Sequence, residues 1–364
     1  MKGEKFEQTQ DQRNSGILDA WFPYWVTNTF LNYPKVLDDF QVKDVSLLTL
    51  KKENRGPAVI VGSGPSLDKS APLLEKWEGA VFCCGSNANI ARRWHAGPDY
   101  VCVFDAGPTV VQQLQDLHWD DTMLITHPSV HPSVLDFWKW ERRYYIMRHF
   151  GHNWFEAATP IAFGDHPYFR TMGLKPPAIG TAILNAGCTV NNAVQVANFI
   201  GYNPLFLIGV DCGYPEGVHR CTMWKKNAKK EWIAVPPTPL PEARTKHLSD
   251  NGVITTEEQI EYKLALMAIW RLDRPRIWDC SEGIITEIPR PPGKDARERF
   301  GYAVERQGKL EYPYDDAGII LTSDNYLHKH KEHMDGNKPE IIITEGENGG
   351  KPDVAIVEDA KEMA

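Results

Sequence analysis

Short runs of apolar residues alternate with amphipathic segments over most of this chain, beginning near residue 57. The runs are rich in β-branched and aromatic residues, and several contain no polar position, which is typical of strands buried on both faces. The segments between them have the length and periodicity of helices. This alternation predicts an α/β protein whose mostly parallel sheet has helices on both faces. The predicted strands are residues 58–61, 80–84, 100–104, 123–126, 144–147, 204–210 and 276–280.

The pattern divides the chain into three segments. Residues 1–54 are rich in aromatic residues and are expected to form short helices that pack on the main domain. Residues 55–292 hold the predicted sheet, interrupted at 213–250 by a long polar insertion. Residues 293–364 are acidic and are expected to be weakly ordered, apart from one strand-like patch at 341–343. The predicted helices are residues 70–78, a segment ending at Trp94, residues 181–200 and residues 256–272.

A glycine-rich turn follows the first predicted strand. Its sequence from Gly62 to Asp68 is Gly-Ser-Gly-Pro-Ser-Leu-Asp. Glycine allows a sharp turn and a close approach of ligand to backbone, and the helix N-terminus that follows attracts phosphate. The turn is therefore predicted to bind phosphate, although its spacing matches neither the dinucleotide fingerprint nor a Walker A loop. A purely structural turn is the alternative. The predicted ligand-binding residues are Gly62, Ser63, Gly64, Pro65 and Ser66.

Polar residues also follow three other predicted strands. Asn87 and Asn89 come after the second strand, Asp105 ends the third, and Asp211 ends the strand at 204–210. Parallel sheets bind ligands at the carboxyl ends of their strands. The two amides could hydrogen-bond a ribose, base or phosphate, with turn chemistry as the alternative. Asp105 and Asp211 could ligate magnesium bound to a triphosphate, or could simply cap a helix or turn.

The insertion at 213–250 is long, rich in proline and lysine, and begins directly after Asp211. It contains His219, Arg220 and His247. Imidazole can accept a hydroxyl proton near neutral pH, so both histidines are candidate general bases. The insertion is predicted to close over the site as a lid of little regular structure, with a disordered surface loop as the alternative. Its lysines, which would contact phosphate or merely face solvent, are Lys225, Lys226, Lys229 and Lys230.

Composition excludes several classes of function. The net charge of −8 gives no electrostatic case for nucleic-acid binding. No stretch approaches 18 uninterrupted apolar residues, and the N-terminus is polar, so neither a membrane segment nor a signal peptide is expected and the protein is predicted to be cytoplasmic. The seven cysteines form no C-x-x-C pair and are expected to be buried, reduced thiols.

Several segments, taken in order, resemble one known family, the 6-hydroxymethylpterin diphosphokinase MptE-like proteins, which include the Maf flagellin glycosyltransferases. The resemblance covers about residues 55–292, and its first and fourth segments are also similar to bacterial sialyltransferases that use cytidine-monophosphate-activated donors. The late run Asp279-Cys-Ser-Glu-Gly283 departs from the family's asparagine and paired glycines. The matching segments are 62–68, 98–105, Gly180-Thr181, 201–211, 251–256 and 280–284.

The resemblance implies a Rossmann-like fold and a transferase that binds a nucleotide-activated donor, with Gly180 and Thr181 in the nucleotide site. It places Asp211 and His219 in the run that carries the family's acid and imidazole. One branch transfers a sugar to a hydroxyl acceptor, which the glycine turn and His219 favour. The other transfers pyrophosphate from ATP to a hydroxymethylpterin with magnesium, which the two acids favour. A catalytically inactive nucleotide-binding or assembly module is the third alternative, and the oligomeric state is left open.

Overall fold

The structure is a computed structural model that describes residues 10–114, 120–146, 148–150, 182–184, 188–237, 239–240, 246–273, 275–313, 340–344 and 353–357. The chain divides into two compact units, residues 1–312 and 313–364. The described part of the second unit is one antiparallel ladder that pairs Glu340 with Val357 and Thr344 with Asp353, which confirms the predicted strand at 341–343.

The described strands are β1 Gly56–Val61, β2 Ala80–Cys84, β3 Tyr100–Val103, β4 Met123–Thr126, β5 Arg143–Tyr145, β6 Arg148–Phe150, β7 Ala182–Leu184, β8 Tyr202–Ile208, β9 Met223–Lys226, β10 Trp232–Val235, β11 His247–Leu248, β12 Ile254–Thr255, β13 Ile277–Asp279, β14 Glu340–Thr344 and β15 Asp353–Val357. Seven parallel strands form the sheet of the first unit, in the order β13-β8-β1-β2-β3-β4-β5. This confirms the α/β, Rossmann-like fold class, and each of the seven predicted strands is present with small differences at its ends.

The helices are α1 Gln10–Val42, α2 Leu67–Ser70, α3 Ala88–Trp94, α4 Thr109–Leu114, α5 Pro132–Asp136, α6 Thr189–Phe199, α7 Glu257–Asp273 and α8 Ala296–Glu305. The expectation of several short N-terminal helices is wrong. Helix α1 runs without interruption through Pro23 and Pro34, both of which are exposed. The prediction of one helix over 181–200 is also wrong at its start, because 182–184 form β7 and pair with β6. The predicted helix at 70–78 is α2 followed by a 3₁₀ helix over 71–76.

Helix α8 lies in the segment expected to be weakly ordered, yet it contributes to the core. Its Phe300 is fully buried and lies 5.7 Å from the ring of Trp77, which in turn meets Phe206 of β8 at 5.5 Å. The core thus extends from the central strands to residue 304 and includes Val304. All seven cysteines are free and all but Cys188 are buried, as predicted. Among the helices that the structure describes, none is both long and apolar enough to cross a membrane.

Polar side chains fasten α1 to the sheet. The amide of Asn28 donates to the carbonyls of Ala106 and Ser129, and that of Asn32 to Pro128 and Val130, at 2.8 to 3.1 Å. These four carbonyls belong to the loops that follow β3 and β4. The N-terminal helix therefore supports the same edge of the sheet at which the strands end.

A buried ion pair joins the end of α1 to β5. Asp39 is 4% exposed and accepts hydrogen bonds from Arg143, at 3.1 and 3.3 Å, and from the Tyr145 hydroxyl, at 2.7 Å. Arg143 also donates to the carbonyl of Trp138. Burial and the neighbouring Asp39 raise the pKa of Tyr145, so its hydroxyl keeps its proton and remains a donor.

We expect Asp39→Ala to lower the free energy of unfolding by about 3 kcal/mol, because it leaves a buried guanidinium and hydroxyl without their acceptor. Asp38→Ala is the control, since Asp38 is exposed and should change stability by no more than about 0.5 kcal/mol. Urea denaturation of both variants measures the difference. Equal midpoints would show that the ion pair does not hold α1 on the sheet.

Candidate functional site

The order of the strands reverses between β1 and β8. From β1 the chain builds outward through β2, β3, β4 and β5, and β8 then returns to the other side of β1. In open α/β sheets ligands bind at the carboxyl ends of strands at such a reversal. Here the turn at 62–66 meets the segment 209–211, so the two loops that the sequence singled out most strongly lie together.

The two glycines of the turn are pressed against the protein itself. The N–H of Gly62 donates to the Ile208 carbonyl at 2.8 Å, and that of Gly64 to the Gly209 carbonyl at 2.7 Å. A Cβ on Gly62 would lie 2.1 Å from the Gly209 oxygen, and one on Gly64 would lie 2.2 Å from an Asp211 carboxylate oxygen. The sequence analysis predicted that glycine at these positions lets a ligand approach the backbone. In the structure residues 209–211 of the protein itself make this close approach.

Asp211 ties three loops together. It is 1% exposed, and its Oδ2 accepts the Ser66 N–H at 2.9 Å while its Oδ1 accepts the Glu282 N–H at 3.0 Å. Its carbonyl accepts the N–H of Ile284 at 2.9 Å. A Cβ on Gly283 would lie 1.5 Å from that carbonyl oxygen, so this glycine of the late run is required by packing. Burial raises the pKa of Asp211 and outweighs the hydrogen bonds that lower it.

Two serine hydroxyls lie side by side at the ends of β1 and β2. The Oγ atoms of Ser63 and Ser86 are 3.3 Å apart, and the amide of Asn87 lies 3.3 Å from the Ser63 hydroxyl. Asn87 is fully buried, donates to the Val61 carbonyl at 2.6 Å and accepts the Cys84 N–H at 2.9 Å. The predicted ligand-binding Asn87 is therefore buried behind Ser63, whereas Ser86, which the sequence also places at the end of a predicted strand, is half-buried like Ser63.

The remaining predicted nucleotide-binding residues occupy different surroundings. Asn89 is half-buried, and its buried Oδ1 accepts no hydrogen bond within the described ranges. Pro65 is half-buried in the turn, and its carbonyl accepts the Asp68 N–H at 3.2 Å. Gly180 and Thr181 lie outside the residues that the structure describes, so their assignment stays a prediction.

Asp105 and Arg220 interact electrostatically. Both are exposed, Asp105 just after β3 and Arg220 in the insertion. Partial loss of water around its carboxyl raises the pKa of Asp105, and the positive charge of Arg220 lowers it in part. Arg220 directly precedes Cys221, whose N–H donates to the Ser63 carbonyl, so its backbone lies next to the turn after β1.

The insertion is anchored directly on the glycine turn. The N–H of Cys221 donates to the Ser63 carbonyl at 3.1 Å, and Thr222 donates its N–H and hydroxyl to the Asp68 carboxylate at 2.9 to 3.0 Å. Trp224 then packs edge-on against Trp94 of α3 at 6.0 Å. The expectation of little regular structure is wrong for the described part, which pairs β9 with β10 and β11 with β12. Closure of the insertion as a lid stays a prediction.

The two candidate bases lie in different places. His219 directly precedes Arg220, is half-buried and stacks at a tilt on Tyr214, with ring centroids 5.7 Å apart. His247 lies in β11, with its Nε2 4.0 Å from the Glu257 carboxylate at the start of α7. The contacts of Cys221 and Thr222 connect His219, and not His247, to the turn after β1.

The two residues proposed as magnesium ligands differ in accessibility. Magnesium bound with a nucleotide takes its oxygen ligands from one or two carboxylates, from water and from phosphate. The Asp211 oxygens are buried and each accepts a backbone amide, whereas the Asp105 side chain is exposed. Among the described residues, no group of three or more His, Cys, Asp or Glu side chains is placed to hold a metal ion.

We expect Gly64→Ala to lower the free energy of unfolding by about 2 kcal/mol, because its Cβ would collide with the buried Asp211 carboxylate. Gly301→Ala is the matched control. Its Cβ would meet only Leu73 at 3.6 Å, and removing glycine from the interior of α8 should be neutral or stabilising. Chemical denaturation compares the two, and equal stability would mean that the turn yields to a side chain without cost.

Two solved structures similar to this chain are glycosyltransferases by their names. The Maf glycosyltransferase from Magnetospirillum magneticum AMB-1 is 18% identical, with a TM-score of 0.47, over 72% of this chain and 41% of that protein. The sialyltransferase CstII from Campylobacter jejuni, in complex with a substrate analogue, cytidine-5′-monophosphate, is 12% identical, with a TM-score of 0.31, over 78% of this chain and 100% of that protein. The chain thus spans less than half the length of the first neighbour.

No curated protein matches the sequence. The family model of the 6-hydroxymethylpterin diphosphokinase MptE-like proteins matches residues 27–217, more than half of the chain. The match begins inside α1 and includes the glycine turn, Asp105 and Asp211. On this evidence, and in agreement with the ordered motifs of its sequence, the chain belongs to the 6-hydroxymethylpterin diphosphokinase MptE-like family.

Proposed function

We propose that this protein transfers a glycosyl group from a nucleotide-activated donor to a hydroxyl acceptor. Family membership supports a transferase of nucleotide-linked substrates. The observation that carries the proposal is the pair of Ser63 and Ser86 hydroxyls at the point where the strand order reverses, with Arg220 in the chain next to Cys221, whose N–H donates to the Ser63 carbonyl. Hydroxyls and a guanidinium are groups that hold phosphate oxygens.

Side chains, not backbone amides, would hold the donor phosphate. The amides of Gly62, Gly64 and Ser66 already donate to the protein's own acceptors. Ser63 and Ser86 present their hydroxyls at the same edge, and Arg220 adds a planar cation suited to two phosphate oxygens at once. The donor phosphate is thus expected to lie between the Ser63 hydroxyl and the insertion.

Glycosyl transfer requires a base and a stabilised leaving group. The bond between the anomeric carbon and the donor phosphate oxygen breaks, and its electron pair leaves with the phosphate, where Arg220 would balance the developing charge. The acceptor oxygen forms the new bond to that carbon. Its proton would go to His219, with His247 as the second candidate.

Pyrophosphoryl transfer from ATP to a hydroxymethylpterin is the second candidate function, favoured by the description of the family itself. That reaction uses magnesium to neutralise the transferred phosphates. Asp105 is the exposed acid available for such an ion, while the Asp211 carboxylate is engaged by Ser66 and Glu282. This difference in available ligands favours glycosyl transfer.

Thermal-shift measurements against cytidine monophosphate, cytidine and uridine sugar nucleotides, and ATP, each with and without magnesium, test the donor class. A ligand at 100 times its dissociation constant adds about 2.7 kcal/mol and should raise the melting temperature by several degrees. We expect a sugar nucleotide or its nucleotide product to stabilise the protein without magnesium.

The double variant Ser63→Ala, Ser86→Ala should lose that stabilisation, because both hydroxyl donors are removed. Ser249→Ala is a control outside the site, since that serine bonds only within the turn that precedes β12. Stabilisation by ATP with magnesium alone would favour pyrophosphoryl transfer. Nucleotide binding without turnover of any donor would favour the inactive binding module.

His219→Ala is expected to lower kcat about 100-fold or more while leaving nucleotide affinity within a few-fold, because it removes the base and no phosphate contact. His247→Ala, compared in the same assay, should retain most of the activity. The reverse ranking of the two variants would assign the base to His247.

A further inference from the structure

The hairpin formed by β9 and β10 is a positively charged element on an acidic chain. Residues 223–235 contain four lysines and one glutamate, a net charge of +3, whereas the whole chain carries −8. The lysines are exposed, and among the described residues none forms an ion pair. Mutual repulsion of like charges favours an anionic partner. The lysines are Lys225 and Lys226 in β9 and Lys229 and Lys230 in the turn.

The outer edge of β10 is open. Within the described ranges β10 pairs with β9 alone, and its residues Ile233 and Val235 are 37% and 36% exposed. An unpaired, partly apolar edge is a template for the addition of another strand. Lys225 lies directly across the ladder from Ile233, and Lys226 lies across from Trp232, whose ring its ammonium covers at 5.0 Å. The two cations of β9 are therefore one strand away from this edge, within the reach of a long side chain.

The direction of each backbone amide in β10 follows from the pattern of the ladder. The N–H of Asn227 donates to the Glu231 carbonyl at 3.0 Å, which makes their pair a hydrogen-bonded one. Hydrogen-bonded and non-bonded pairs alternate along antiparallel strands. The amides of Ile233 and Val235 therefore point toward β9, and those of Trp232 and Ala234 point outward.

The hairpin begins at the candidate site and lies beyond the family match. Cys221 and Thr222, the residues just before β9, bond to the turn after β1. The family model ends at residue 217, so the hairpin belongs to a part of the chain that the family pattern does not describe. Trp224 fixes the hairpin against Trp94 and the guanidinium of Arg93.

We propose that the outer edge of β10 binds an extended acidic polypeptide segment of a partner protein. The segment adds a third strand through the outward amides of Trp232 and Ala234, and its carboxylates face Lys225, Lys226, Lys229 and Lys230. Backbone pairing provides the geometry and the lysines provide the selection for negative charge. The surface does not depend on the chemistry proposed for the donor site.

The test uses the full chain and fluorescent peptides of about eight residues, a common strand length. One peptide alternates glutamate with valine and threonine. The first control replaces each glutamate with lysine, and the second keeps the glutamates but places proline at alternate positions. Fluorescence anisotropy should detect binding of the first peptide, weakening as salt rises, and at least about tenfold weaker binding of both controls.

Two variants locate the binding. Lys225→Glu, Lys226→Glu should weaken it about tenfold or more, while Lys52→Glu, Lys76→Glu, an equal charge change at exposed lysines elsewhere, should not. Ala234→Pro removes an outward amide and no ladder hydrogen bond, so it should weaken binding while the melting temperature is kept.

Several results would overturn the proposal. Equal affinity for the proline-containing acidic peptide would show charge attraction without strand addition. Equal binding by the Lys225, Lys226 double variant would place the peptide elsewhere. A single-stranded oligonucleotide that binds more tightly than the acidic peptide would assign the surface to nucleic acid, and self-association abolished by Ala234→Pro would assign it to a second copy of this chain.

Discussion

The site depends on one buried carboxylate. Asp211 accepts the amides of Ser66 and Glu282 on its two oxygens, and Gly64 lies so close that a side chain there would overlap it. A buried, ionisable group is costly unless its hydrogen bonds are made, so the loops after β1, β8 and β13 must keep their places. The requirement for glycine at positions 64 and 283 follows from this arrangement, because a side chain at either position would overlap Asp211.

This constraint also limits which atoms can form hydrogen bonds to a ligand. A glycine turn before a helix usually offers its amides to an anion. In this chain the amides of Gly62, Gly64 and Ser66 donate to acceptors of the protein itself, so the phosphate contacts that we propose fall to Ser63, Ser86 and Arg220. The Asp211 carboxylate contributes to this difference because it accepts the Ser66 amide.

The sheet could be predicted because a strand buried on both faces is a nearly continuous run of apolar residues, as in residues 58–61 and 204–210. The length of α1 was not predicted, because its aromatic residues were interpreted as short helices, whereas one helix continues through two exposed prolines. Local sequence also placed Asp211 and the glycine turn at strand ends, but not their mutual contact. That contact depends on strand order, which joins residues about 150 positions apart and leaves no local pattern.

The contact between the two serines and the surface of the hairpin were harder to predict for a related reason. The sequence places Ser86 at the end of a predicted strand, but only the order of the strands brings its hydroxyl within 3.3 Å of the Ser63 hydroxyl. The lysines at 225–230 resemble a solvated run until the ladder shows that β9 and the turn carry them beside β10, whose outer edge is open in the described residues. The first residues of the insertion thus lie on the glycine turn, and the hairpin that follows carries the charged surface for which we propose a partner. The hydrogen bonds of Cys221 and Thr222 determine both placements, because they fix the start of the hairpin beside the turn after β1.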